Sequence, residues 1–151
     1  MPSFAESTNI HPIDTQESAC KAEAKDLNAW TLCSLKAARA WNKEVDKYYS
    51  LLYKKLEGEA KTALFGDQKY WNMYKNNEYK VIDALKDKDF DTKERVIFRA
   101  NQKRELIKLR ATALRMYYAQ TFPDDEQEKL DINNTYRPDN LLQQGLRLLQ
   151  F

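Results

Sequence analysis

Two cysteines, Cys20 and Cys33, stand 13 positions apart in "CKAEAKDLNAWTLC", and the chain of 151 residues has no others. Two thiols either stay free or join in a disulfide. On one continuous helix their Cα atoms would lie roughly 20 Å apart. A disulfide needs them within about 7 Å. The stretch is therefore either a helix with two free thiols or a reversal pinned by a bridge. The single histidine, His11, removes histidine-based zinc sites and Cys–His catalysis. The chain contains neither a glycine-rich phosphate loop nor a G-x-S-x-G elbow. "DKDFDTKE" alternates Asp87, Asp89 and Asp91, as calcium loops do. Such a loop wants glycine sixth and glutamate twelfth, and Thr92 and Phe98 stand there. The segment reads as a solvated acidic turn. No metal, cofactor, catalytic set or small-molecule substrate is expected.

Residues 93–115 are basic: Lys93, Arg95, Arg99, Lys103, Arg104, Lys108, Arg110 and Arg115 oppose Glu94 and Glu105. No nucleic-acid motif accompanies the charge. The favoured reading is that these side chains cover a helix flank and pair with the acidic turns at 83–91 and 124–131. Net charge is only +2, too little to imply a polyanion partner.

The elements that must position these groups are helical. With 3 Gly and 4 Pro in the chain, turn formers are too scarce for a sheet protein. No apolar run reaches the roughly 18 residues that span a membrane. Residues 1–13 read as an extended tail. Within it, Ser3 and Ala5 occupy the −3 and −1 positions of a signal-peptidase pattern before Glu6. A signal-peptide remnant and an ordinary terminus are both open. "DTQE" at 14–17 predicts a short helix from about Thr15 to Lys25, capped by Asp14. "DLN" at 26–28 predicts a reversal, with Asp26 or Asn28 capping the next helix. That helix carries Trp30, Cys33, Ala37, Trp41, Val45, Tyr48, Leu52 and Leu56 on one apolar face, with Gly58 at its C-terminus. Lys36, Lys43, Lys47 and Lys54 lie opposite, on the solvated side.

A third helix is predicted from about Glu59 to Lys86, with Leu64, Trp71, Tyr74, Ile82 and Leu85 inside. "DTKE" at 91–94 opens a fourth, to about Gln120, with Val96, Ala100, Ile107, Leu114 and Tyr117 inside; Pro123 ends it. "YRPDNLLQQGLRLLQF" predicts a final short helix within 138–151. The expectation is an all-α fold, a helical bundle of three long helices with short N- and C-terminal accessory helices. Residues 14–151 form a single domain in this reading, and 123–151 is a C-terminal extension of it. Tyr49, Tyr53, Tyr70 and Met73 fall off the stripes, and exposed aromatics are the residue types of interface anchors.

The cysteine pair, followed by "AARAWNKEVDKYYSLLYKKL" and "LFGDQKYWNMYKNNEY", resembles the LprI-like lysozyme-inhibitor family of small exported bacterial helical proteins. That family shows two cysteines, then D-x-E-L-N-x-x-Y, then Q-x-x-W-x-x-[FY]-[RK]. Asn42, Glu44, Val45, Asp46 and Tyr49 occupy the first motif, and Gln68, Trp71, Tyr74 and Lys75 the second. A later T-x-x-R helix is echoed by Thr112 and Arg115. Asp and Asn are exchanged between positions 42 and 46, and Val45 replaces Leu. The further cysteines of many members are absent, and 123–151 has no counterpart. The resemblance spans roughly 18–118.

The resemblance implies export, and with it a Cys20–Cys33 bridge in an oxidising compartment. The bridge would close a loop of about 14 residues, worth about 3 kcal/mol in the chain-entropy model. It would staple the short first helix across the start of the second. The motif residues read as structural: Trp71 packs on the second helix and Gln68 bonds across the helix pair.

The resulting functional expectation is a non-catalytic periplasmic or secreted envelope protein that binds another protein. The resemblance points to a lysozyme or other peptidoglycan hydrolase, inhibited by occlusion of its cleft. Candidate contact groups are Asp87, Asp89, Asp91, Asp124, Asp125 and Glu126, since acidic loops aid encounter with a cationic target. The alternative is a structural subunit that docks through the Leu-rich 138–151 helix onto a second copy or an envelope complex. A cytosolic nucleic-acid binder, with free thiols, ranks below both.

Overall fold

The computed structural model describes residues 10–86 and 91–125. Every regular element among them is helical: α1 (Pro12–Glu23), α2 (Leu27–Lys55), α3 (Gly58–Ala84) and α4 (Lys93–Thr121). The three later helices have 29, 27 and 29 residues against 12 for α1. This all-α architecture is compatible with a helical bundle. Residues 1–9 of the expected tail, the acidic segment 87–90 and residues 126–151, where a final helix is expected within 138–151, lie outside the described residues. Residues 10–37, with Asp124 and Asp125, belong to one compact unit, and Ala38–Pro123 forms a second.

In the first unit, α1 starts at Pro12, inside the segment expected to be tail, and its cap is His11 rather than Asp14. The His11 Nδ1 accepts from the Ile13 amide at 3.1 Å. Pro12 supplies the fixed φ that suits a first helical residue. Asp14 sits instead in the first turn, where its charge complements the helix dipole. An isolated helix of 12 residues is marginal in water. α1 gains from burial of Ile13, 3% exposed, worth about 2 kcal/mol. The reversal expected at 26–28 falls at 24–26, and Leu27 and Asn28 already belong to α2. Asp26 caps α2, its Oδ1 accepting from the Ala29 amide at 2.7 Å.

Most of the apolar face read for α2 is inside: Cys33, Ala37, Trp41, Val45, Tyr48 and Leu52 are buried, while Trp30 is half-buried and Leu56, also half-buried, lies just past the end of the helix. The face is also wider than expected, since Ser34, Ala38 and Glu44 join it. Gly58 belongs to the α2–α3 turn and takes φ +58, the left-handed backbone that an L side chain would strain.

In the second unit, α3 and α4 run antiparallel. Residues 67 and 68 are level with 110, and 79 and 83 with 103. α2 and α4 run the same way, since Trp41 lies by Lys108, Tyr48 by Tyr118 and Lys55 by Phe122. On α3, Leu64, Gln68 and Ile82 are buried. Tyr74 and Leu85, expected inside, are 52% and 50% exposed. Leu64 and Ile82 are five helical turns apart and define the inward direction; Tyr74 and Leu85 point about 60–80° away from it. On α4 the buried residues are Ile107, Ala111, Leu114 and Tyr118. Tyr117, the residue expected inside, is 54% exposed. Eleven residues make about three turns, which returns Tyr118 to the Ile107 side and rotates Tyr117 off it.

α4 is capped by Thr92, whose hydroxyl accepts from the Arg95 amide at 3.2 Å. The "DTKE" pattern thus acts one residue later than a cap at Asp91 would place it.

Candidate functional site

The first unit holds the cysteines. Cys20 and Cys33 form a disulfide with Cα atoms 5.7 Å apart. It links α1 to α2 across the reversal at 24–26, and neither cysteine is free. One turn before Cys20, Glu17 is buried, with its carboxylate aimed at α2. Its Oε2 accepts from the Lys21 ammonium at 2.7 Å and from the Ser34 hydroxyl at 3.3 Å. The same ammonium lies 3.9 Å from the centre of the Trp30 ring, within cation–π range. A serine, a lysine and a glutamate in contact resemble a nucleophilic set in composition. Their roles are different: Ser34 has no exposed surface, donates to a carboxylate and cannot reach a substrate. The cluster fixes α1 on α2.

The second unit holds the motif residues. On α3, Gln68 is buried and its Oε1 accepts two bonds from Arg110 of α4, from Nε at 3.2 Å and Nη2 at 2.7 Å. The other Nη of Arg110 pairs with Asp67 at 2.7 Å. The guanidinium carbon sits 5.7 Å from the Trp71 ring centre. Gln68 thus bonds across a helix pair, but the pair is α3–α4, and its partner comes from the basic stretch. Trp71 also meets Tyr74 ring to ring, 6.2 Å apart. The other motif residues scatter. Glu44 is buried; Asn42, Tyr49 and Lys75 are half-buried; Asp46 and Tyr74 are exposed. Tyr49 stacks on Tyr53 at 5.8 Å, and Lys61 lies 4.4 Å over the Tyr53 ring. These residues do not converge on one pocket.

The acidic candidates divide. Asp91 is engaged by Arg99, which contacts both its carboxylate oxygens and also donates to the Leu85 carbonyl at 3.1 Å. The Arg99 hydrogen bond holds the Asp91 carboxyl below the usual aspartate range, and the Asp91 bond raises Arg99. Arg99 therefore ties the end of α3 to the segment before α4, and Asp91 remains exposed. Asp124 is exposed and Asp125 half-buried. Asp87, Asp89 and Glu126 lie outside the described residues.

The basic stretch is largely spent inside the unit. Arg99, Lys103 and Arg110 each meet a carboxylate, Lys103 pairing with Asp83 at 2.5 Å. Lys103 also lies 5.1 Å over the Tyr79 ring. Burial, and to a lesser degree the Asp83 charge, push the Tyr79 hydroxyl up. The sequence points to pairing with the acidic turn 83–91, which does supply Asp83 to Lys103 and Asp91 to Arg99; it does not reveal Asp67 and Gln68 as the partners of Arg110, because on α3 they look merely solvated.

Among the described residues, no group of three His, Cys, Asp or Glu side chains could hold a metal ion. No helix among them is long and apolar enough to cross a membrane. No family model, curated protein or solved structure matches the chain.

Proposed function

We propose that this chain is a non-catalytic, protein-binding protein of the bacterial envelope, periplasmic or secreted. Its target in this reading is a lysozyme or another peptidoglycan hydrolase, inhibited by occlusion of the glycan cleft. The observation that carries the reading is the Cys20–Cys33 disulfide between α1 and α2, a bond that persists in oxidising compartments. It agrees with the two-cysteine start of the exported family that the motifs resemble. The finer reading is of a bundle of three long helices, α2, α3 and α4, with α1 and a helix expected within 138–151 as accessories. Helices cross-tied by Arg99, Lys103 and Arg110 suit occlusion, because a pre-organised surface loses little entropy on binding.

The contact groups in this reading are the acidic residues Asp87, Asp89, Asp91, Asp124, Asp125 and Glu126, since acidic loops aid encounter with a cationic target. The test is a turbidity assay of cell-wall lysis with several lysozymes and increasing amounts of the purified protein. The expected result is saturable slowing near equimolar ratio for at least one enzyme. Undiminished hydrolysis at a large excess, for every lysozyme tried, removes lysozymes as targets.

A further inference from the structure

The exposed flank of α3 carries apolar side chains at helical repeat. Tyr70, Tyr74, Val81 and Leu85 are 72%, 52%, 54% and 50% exposed, and Ala63 and Asn77 lie exposed on the same flank. Steps of four, three, four and four from 70 to 85, with Ala63 two turns earlier, give one seam, roughly 33 Å long at 1.5 Å per residue. Surface helices of monomers place polar residues there. We propose that this seam pairs with the same seam of a second copy, the two α3 helices lying antiparallel.

The choice of occupant and of direction rests on the distribution of side chains along α3. Aromatic residues fill the N-terminal half of the seam, Tyr70 and Tyr74, and aliphatic ones the C-terminal half, Val81 and Leu85. Asn77 stands between them. Antiparallel pairing sets the rings of each copy against the aliphatic half of the other and brings the two Asn77 amides, each donor and acceptor, close together. Antiparallel helix dipoles also oppose favourably. A parallel pair would stack like on like. The surface is therefore self-complementary about a two-fold axis, as an isologous dimer requires.

The area sets the strength. Four tyrosines across the pair, each of about 150–250 Å² and half to three-quarters exposed, bring on the order of 500 Å². With the aliphatic side chains and the rim the total reaches on the order of 1,000 Å², the lower end for a specific interface. An interface at this lower end is weak; a dissociation constant on the order of 10 μM makes the chain mostly dimeric at about 100 μM and mostly monomeric near 1 μM.

The test is sedimentation velocity of the full chain over that concentration range. A dimer that dissociates on dilution is expected, and Tyr70→Asp and Val81→Asp each leave a monomer with unchanged helical circular dichroism. Leu109→Asp, at a 62% exposed position of α4, leaves the dimer intact, and so does deletion of 138–151. Mixed Tyr70→Cys and Val81→Cys chains, treated with a short bismaleimide, crosslink unlike positions more than like ones. A monomer at 100 μM, a dimer that survives both Asp substitutions, a dimer abolished by deleting 138–151, or crosslinks confined to like positions overturns the proposal.

Discussion

Replacing Gln68 by leucine tests whether the motif glutamine specifies the α3–α4 packing. The Gln68 carbonyl accepts two bonds from one guanidinium, at 2.7 and 3.2 Å. Gln68 is 9% exposed and the Arg110 side chain 10%, so water replaces little of what is lost. Bonds to charged groups contribute about 1.5–3 kcal/mol net each. Two at the lower end give about 3 kcal/mol, and the added burial of leucine returns about 1 kcal/mol. Gln68→Leu should therefore cost about 2 kcal/mol, or about 4–8 °C in Tm for a chain of this size. Asp67→Asn touches the same arginine but at a carboxylate that is 57% exposed; it should cost less than about 1 kcal/mol. Gln68→Glu keeps the acceptors and should stay close to the parent at neutral pH. Urea unfolding followed by circular dichroism measures all three, and Arg110→Met completes a double-mutant cycle with an expected coupling of about 1–3 kcal/mol. A Gln68→Leu variant within 0.5 kcal/mol of the parent (an interval set by the cited additivity error of about 0.3–0.5 kcal/mol), or a larger loss from Asp67→Asn, would refute the clamp.

Thr92→Ala should cost about 1 kcal/mol through loss of the α4 cap, read by urea unfolding, and Thr92→Ser should restore most of it. Lys21→Met leaves the buried Glu17 carboxylate without its ammonium and should cost about 3 kcal/mol; adding Glu17→Leu should recover most of that, since an apolar pair carries no desolvation penalty. The Arg99 bond lowers the Asp91 pKa. Its contribution to stability is therefore complete above the ordinary aspartate range and is lost as pH falls through the lowered value. NMR titration should find the Asp91 carboxyl titrating below an ordinary aspartate, and Arg99→Met should return it to the normal range; an unmoved titration would remove the pair from the account.

Much of the helical architecture was legible because α2 is simply patterned. Its cysteine, tryptophan, valine, tyrosine and leucine recur at helical spacing and are inside. α3 and α4 were harder, and for a physical reason. Both carry apolar residues on two sides, Tyr70, Tyr74 and Val81 on one helix and Phe98, Leu109 and Met116 on the other, all exposed. With apolar side chains on both faces, periodicity alone does not say which side is buried, and it points Tyr74, Leu85 and Tyr117 inward although all three are exposed. Polar partners settle the matter in the folded chain: Gln68 turns inward because Arg110 meets it there. Caps were misplaced by one to three residues where two capable side chains compete. Asp91 loses the α4 cap to Thr92 because Arg99 engages its carboxylate, and His11 precedes a proline that starts α1 before Asp14. The motif positions were found from the sequence, but their chemistry was not, since Arg110 lies 42 residues beyond Gln68.

Intact-mass analysis of unreduced protein, taken from its native cell fraction, unfolded and treated with iodoacetamide, probes the sulfur–sulfur link on which the envelope assignment stands. The account predicts no adduct and, after proteolysis, a peptide pair joined through Cys20 and Cys33. Two carbamidomethyl groups per molecule would contradict it.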